Sequence, residues 1–233
     1  MNLFDEIVKT KGYAIISIEN MNIFESLKNS FIEKINIENK VKNIDSLRKK
    51  MATMSKSEVN KIMVNLLSFS NASELMINSC KTIVKNLCGD SLFIQRRAAT
   101  IFNLPGKDQR RQWPHYELMS GISPFTYIMW APFHDLDDDG GVFYMDQTIS
   151  LKTIKKEHKQ GLVNGPLILN NYYKEKPLKL KYGEVVIFNP FILHGNINFS
   201  SNKARIACSV RFQSIKKPLM QRNTDFYKYL KIN

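Results

Sequence analysis

The chain is short of nearly every feature that would mark it at a glance. It has three cysteines in 233 residues, Cys80, Cys88 and Cys208, and no CxxC pair. An odd, dispersed set of thiols supports neither a disulfide framework nor a structural zinc site, so a reducing compartment is expected. Ten glycines and eight prolines exclude a collagenous or low-complexity chain. No apolar run approaches the ~20 residues of a membrane span. The first residues, MNLFDEIVKT, carry acids early and lack a long apolar stretch, which argues against a secretory signal and for a cytoplasmic protein. There is no GxGxxG or Walker loop, so nucleotide-binding α/β readings lose their main support. No internal repeat is visible.

Charge of one sign is in excess: 34 Lys+Arg against 21 Asp+Glu, a formal net charge of +13. Such a balance suits nucleic acid, an anionic surface or acidic small molecules. The bases are scattered, however. Lys152 to Lys156 is interrupted by Thr153 and Ile154, and Lys174 to Lys181 alternates with Glu, Pro and Leu. No block of five or six like charges occurs, and no helix-turn-helix, zinc-finger or RNP pattern appears. The expected partner is therefore a small molecule, an anionic one being suited to the charge balance, with neither nucleic acid nor membrane; the oligomeric state is left open.

The texture changes near residue 90. Before it, apolar residues recur at helical spacing: Phe24, Leu27, Phe31 and Ile35; then Val59, Ile62, Met63, Leu66 and Leu67; then Leu75 through Leu87. Ser55-Lys-Ser-Glu58 has the form of a capping box. Lys11 to Ile18 is a β-rich exception. After residue 90, short β-rich runs (Leu92–Phe102, Phe125–Ala131, Gly141–Tyr144, Leu167–Ile168, Glu184–Phe188, Arg205–Phe212) are separated by Pro, Gly and Asp turns. Many short strands at this spacing predict a sandwich or jelly roll rather than βαβ units. The expected organisation is one domain over 1–233: a helical layer (1–90), a β core (91–215) and a C-terminal tail (216–233).

Histidine is scarce too, with four in the chain, and two stand in pointed contexts. In Trp113-Pro-His115-Tyr-Glu117, residues i and i+2 of an extended segment share a face. His115 and Glu117 would then offer an imidazole nitrogen and a carboxylate oxygen to one ion. The apolar strand after Gly183 ends at His194-Gly195. Together the three would make a 2-His-1-carboxylate triad of the kind that leaves open positions on ferrous iron. Arg205 follows 11 residues later, and Arg211 keeps its strand parity if no bulge intervenes. A guanidinium there suits bidentate capture of a carboxylate. Taken singly, each feature also has a bland reading: a surface HxE pair, a turn histidine, a strand arginine in an ion pair.

The order of these residues resembles phytanoyl-CoA-dioxygenase-like Fe(II)/2-oxoglutarate oxygenases, in particular a branch from bacterial carbohydrate and aminoglycoside biosynthesis clusters. The similarity lies in His115-Tyr-Glu117, Ser120-Gly-Ile-Ser-Pro-Phe125, Trp130-Ala-Pro132, Gly183-Glu184, His194-Gly-Asn196, Asn198, Arg205 and Arg211-Phe212, across about residues 92 to 215. It implies an α+β, mainly β fold: a double-stranded β-helix (jelly roll, cupin-like) with an N-terminal helical layer. It implies His115, Glu117 and His194 as ligands of Fe(II), with 2-oxoglutarate and O2 as co-substrates. It implies Arg205 as the anchor of the distal 2-oxoglutarate carboxylate, with Arg211 a second candidate for that task or for an anionic substrate. Asn103, Gln112 and Tyr127 flank the metal strand and could bond the co-substrate, although Tyr127 equally suits a packed sheet aromatic. The branch usually has Asp where this chain has Glu117.

The activity so implied is hydroxylation of a C–H bond of a small molecule, a sugar or other biosynthetic intermediate. Its competitors are a catalytically inactive jelly-roll module that binds a sugar or nucleotide, and a basic nucleic-acid binder. Arg96, Arg97, Arg110 and Arg111 could hold an anionic group or be solvated. His134 to Asp137 imitates a ligand pair with the wrong spacing and reads as a loop, His158 sits in a charged exposed segment, and Cys208 is expected to fill core.

Overall fold

The computed structural model describes residues 5–35, 41–66, 69, 71–105, 114–159, 177–196, 200–220 and 226–232. Its organising element is a ten-residue strand, β8 (Arg205–Ser214), buried along most of its length. Ile206, Cys208, Val210 and Phe212 alternate with Arg205, Ala207, Ser209, Arg211 and Gln213, so period-2 geometry sends the two sets to opposite faces. β4 (Tyr127–Pro132) pairs with one edge of β8, from Tyr127 opposite Phe212 to Pro132 opposite Ala207, without a slip. The other edge is shared between β3 (Ala99–Asn103), opposite the first half, and β2 (Ser91–Gln95), opposite the end. β6 (Glu184–Phe188) and β1 (Tyr13–Ser17) extend the sheet beyond β4, and β9 (Tyr227–Lys231) closes the far edge on β2. All seven strands run antiparallel to their neighbours. A second, two-stranded antiparallel sheet joins β5 (Val142–Tyr144) to β7 (His194–Asn196).

Alternation gives the large sheet two unlike faces. Met129, Ala131, Val185, Ile187, Ile206, Cys208, Val210 and Phe212 pack under a helical layer. That layer is α1 (Met21–Ile35), α2 (Ile44–Thr53), α3 (Lys56–Leu66), α4 (Ala72–Ser79) and α5 (Lys81–Cys88). The expected α1 stripe is buried: Phe24, Leu27, Phe31 and Ile35. Rings of this size contribute roughly 1.5–3 kcal/mol each on burial. The capping box forms reciprocally: Ser55 N–H donates to Glu58 Oε2 at 2.8 Å and Glu58 N–H to Ser55 Oγ at 3.3 Å. The opposite sheet face, with Ile128, Trp130, Val186, Phe188 and Ala207, meets Val142 and Tyr144 of the small sheet. The small sheet's outer side, Phe143 and Leu193 with Tyr116, is covered by Ile154 of a sixth helix, α6 (Gln147–Lys159).

The sequence expectations need four adjustments. The Leu92–Phe102 run divides into β2 and β3. The Leu75–Leu87 face breaks at Cys80 because the Ser79 carbonyl accepts from Glu19 and Asn20 N–H, while the Glu19 carboxylate caps α5 through Thr82 and Ile83 N–H at 2.8 and 2.9 Å. The basic segment after Asp146 is helical, begun by Asp146 accepting from Ile149 N–H. The tail supplies β9. Leu167–Ile168 lie outside the described residues.

His134 is a structural residue with a pH signature. It is buried beside the start of β8, where Nε2 accepts from Ile206 N–H at 3.2 Å and Nδ1 lies 2.6 Å from the Asp135 carbonyl. Burial, then the Arg48 charge, push its pKa down to about 4. A neutral folded histidine leaves stability flat above its unfolded value near 6.5 and erodes it as pH falls from there toward 4. The expected loss is about 2 kcal/mol by pH 5, read from urea unfolding at pH 7 and pH 5. His134→Gln should remove that increment; an unchanged pH dependence in the variant would assign it elsewhere.

Candidate metal centre

Between the two sheets lies a cleft with about 380 Å³ of empty space, part of it open to solvent. Its lining includes His115, Glu117, His194, Asn196, Arg205 and Trp130. The route to this arrangement starts at β7. His194 pairs with Tyr144 on one side and exchanges backbone hydrogen bonds of 2.9 Å with His115 on the other. His115 is therefore extended, Tyr116 is extended with φ −125° and ψ 147°, and Glu117 opens a short 3-10 turn. Parity does the rest: Tyr116 faces outward to the α6 side, while His115 and Glu117 face the cleft with His194.

The three side chains offer ligand atoms within 4.8 Å of one another. Glu117 Oε1 lies 3.6 Å from His194 Nε2 and 4.0 Å from His115 Nε2. The second oxygen, Oε2, accepts from Arg211 Nε at 3.1 Å and from the adjacent Arg211 amino group. Burial alone would push the Glu117 carboxyl up, but the His194 imidazole and the Arg211 charge reverse this and leave it at about 2. It is a carboxylate at any ordinary pH. His194 Nδ1 lies 2.9 Å from the Ile192 carbonyl, which can only accept, so Nδ1 carries a proton and Nε2 is the ring nitrogen turned to the cleft. Tyr144 stacks on the ring at 5.3 Å and 7°, and Phe188 meets it edge-on at 4.7 Å. Two imidazole nitrogens and one carboxylate oxygen, converging within 4.8 Å, fit a borderline divalent ion such as iron.

Arg205 closes one end of the cleft. It is 1% exposed, and its guanidinium donates to the Gly140 carbonyl and to Asn196 Oδ1, both at 2.6 Å. Burial lowers its pKa to about 10, so it stays a cation at neutral pH. Trp130 lies beneath it, 6.0 Å from ring centroid to Cζ. The unbroken β8 register keeps Arg205 and Arg211 on one face, as the spacing predicted, but gives them different surroundings. Arg211 is engaged with Glu117.

The other candidates fall elsewhere. Asn103 is buried behind the cleft, where its Oδ1 accepts from Asn196 Nδ2 at 3.2 Å. Tyr127 has the parity of Met129 and packs on Phe212, away from the triad, beside a separate pocket under Phe125. Arg96 and Arg97 are exposed. Gln112, Arg110, Arg111, Trp113 and Asn198 lie outside the described residues, as does the side chain of His158. Two partners of Arg205 were assigned no site role from the sequence, although Asn196 belongs to the His194-Gly-Asn196 motif. Asn196 shares a strand face with His194 by the same i, i+2 rule that pairs His115 with Glu117. The Gly140 carbonyl carries no sequence signal.

By sequence, the chain matches no protein-family model and no curated protein. By structure it is similar to HygX from Streptomyces hygroscopicus, solved with nickel and 2-oxoglutarate bound, at a TM-score of 0.56 and 11% identity, covering 92% of this chain and 87% of HygX. It is similar to the non-haem monooxygenase ThoJ in its nickel complex, at 0.54 and 12%, covering 95% and 84%. It is also similar to SnoN, a non-haem α-ketoglutarate-dependent epimerase from nogalamycin biosynthesis, at 0.50 and 13%, covering 91% and 81%. At these identities, what this chain shares with HygX, ThoJ and SnoN is their fold, here an antiparallel, sheet-rich α+β architecture.

Proposed function

We propose that the protein is an Fe(II)/2-oxoglutarate-dependent oxygenase of the phytanoyl-CoA-dioxygenase-like type, built as a double-stranded β-helix, that hydroxylates a C–H bond of a small biosynthetic intermediate such as a sugar. The observation that carries the reading is the convergence of Glu117 Oε1 with the two histidine Nε2 atoms, in one cleft with the buried Arg205 cation. HygX has been solved with nickel, 2-oxoglutarate and hygromycin B bound, which supports a small-molecule substrate of carbohydrate character.

His115, Glu117 and His194 would hold the metal, and ferrous iron there supplies the oxidising chemistry, with 2-oxoglutarate as co-reductant of O2. The chain's own part is to orient and to exclude. The Ile192 carbonyl fixes the His194 tautomer, and Tyr144 and Phe188 fix the plane of its ring. Trp130, Val142, Ile101 and Phe188 line the cleft with apolar surface, which thins the water around the reacting groups and strengthens each charge interaction. Arg205, held from behind by Gly140 and Asn196, presents a charge-assisted fork to a distal carboxylate.

Anaerobic addition of Fe(II) and 2-oxoglutarate should give one metal per chain and a weak visible charge-transfer band, and exposure to air should yield succinate. Purified protein that takes up no metal and gives no band would instead be an inactive binding module.

A further inference from the structure

We infer that Arg211 is a positioning residue for the metal centre: by holding Oε2 of Glu117 it presents Oε1 alone to the two histidines. This rests on the metal reading above and goes beyond it, because it removes Arg211 from the co-substrate and substrate candidates and gives it to the protein's own ligand.

The reasoning begins with arm length. Glutamate carries one more methylene than aspartate and one more rotatable bond, so a glutamate ligand has more ways of missing the metal. Fixing one such torsion-rich side chain carries an entropic cost that a rigid partner lowers. A buried carboxylate can also present either oxygen, or both. In this cleft the ambiguity is resolved. Arg211 places Nε and one amino nitrogen on Oε2, and both donors converge on that single oxygen. Oε1 is then the oxygen nearest both Nε2 atoms. The clamp is itself held: Arg211 N–H donates to Gln95 Oε1 at 3.2 Å, its position in β8 is fixed opposite Ile128, and its guanidinium lies 5.4 Å from the Phe226 ring. Glu117, 7% exposed, is a buried carboxylate, and the Arg211 guanidinium supplies its counter-charge.

Arg205 sits in a different setting, bonded to a carbonyl and an amide oxygen. The two arginines of one strand face thus differ in partner: Arg211 faces a carboxylate that belongs to the chain, while Arg205 is bonded to the Gly140 carbonyl and Asn196 Oδ1.

The test is calorimetric titration of purified apo-protein with Co(II), which is inert to O2 and reports its ligands in its visible spectrum. 2-Oxoglutarate is then titrated into the Co(II)-loaded protein. Arg211→Met should weaken Co(II) binding about 10–100-fold, the usual cost of losing a partner that orients a metal ligand, and change the Co(II) absorption bands. Arg211→Lys, which keeps the charge but not the fork, should recover part of the affinity. In a Glu117→Gln background, Arg211→Met should cost less than threefold, because the group it positions is gone. Unchanged Co(II) affinity in Arg211→Met, with a loss confined to 2-oxoglutarate, would overturn the inference and make Arg211 a co-substrate anchor. Equal losses in both backgrounds would overturn it as well, leaving a structural role. Wild-type protein that binds no Co(II) would overturn the metal reading itself, an outcome distinct from both.

Discussion

His194→Ala is expected to abolish turnover, with succinate formation falling at least about 10³-fold and Fe(II) binding weakening by more than about 100-fold. The lower bound follows from the partners of metal ligands, whose loss already costs about 10–100-fold; removing a ligand outright must cost more. His194 is also the member of the triad whose surroundings are most fully specified. Its backbone is paired on both sides, its Nδ1 is set by the Ile192 carbonyl, and two rings confine its plane. Alanine therefore removes a ligand and empties space beside Tyr144 and Phe188, so a lower melting temperature accompanies the loss of metal. His115→Ala separates the two effects. Its ring is about a quarter exposed, so its removal leaves less of a cavity, yet it takes away an equivalent nitrogen. Loss of metal in both variants, with a smaller stability change in His115→Ala, is the pattern of a shared metal centre. Metal analysis and anaerobic titration check it; either variant retaining stoichiometric iron and turnover would remove that histidine from the ligand set.

How much of this was legible in the sequence depends on how local the determining interaction is. The α1 stripe, the Ser55–Glu58 capping box and the strands β4, β6 and β8 are each set by spacing within one segment, and spacing can be read directly. The HxE rule worked for the same reason, since an extended backbone at His115 and Tyr116 is all it needs. β7 escaped because three residues, one of them Gly195, carry no alternation. β9 escaped because its register is imposed by β2, and α6 because few of its residues are buried. In the cleft, the parity of Arg205 and Arg211 was legible but the partner of Arg211 was not. The Glu117–Arg211 contact joins positions 94 apart and exists only once β8 lies beneath the 3-10 turn. Of the two readings open for Tyr127, co-substrate contact or packed sheet aromatic, parity selects the second: Ile128 and Trp130 face the cleft side, so Tyr127, with Met129 and Ala131, faces the helices.

Arg205→Met is expected to raise the KM for 2-oxoglutarate by roughly 10²–10⁴-fold while leaving metal affinity within a few fold. Hydrogen bonds to charged groups contribute about 1.5–3 kcal/mol each, and a guanidinium fork makes two. At 1.4 kcal/mol per tenfold, that places the loss in the stated range. The substitution also deprives the Gly140 carbonyl and Asn196 Oδ1 of their donor, so the variant should unfold more readily, and a stability loss alone proves nothing about the co-substrate. The discriminating quantity is a ratio. 2-Oxobutyrate keeps the metal-chelating end of 2-oxoglutarate but lacks the distal carboxylate. Wild-type protein should prefer 2-oxoglutarate strongly; Arg205→Met should use both poorly and almost equally, because the preference resides in the lost ion pair and general destabilisation affects the two alike. Arg205→Lys should fall between, retaining the charge without the fork. Binding measured on Co(II)-loaded protein gives the same ratio without turnover. A preference that survives in Arg205→Met and collapses in Arg211→Met would exchange the two arginines' roles, since the carboxylate end of the co-substrate can report on only one of them.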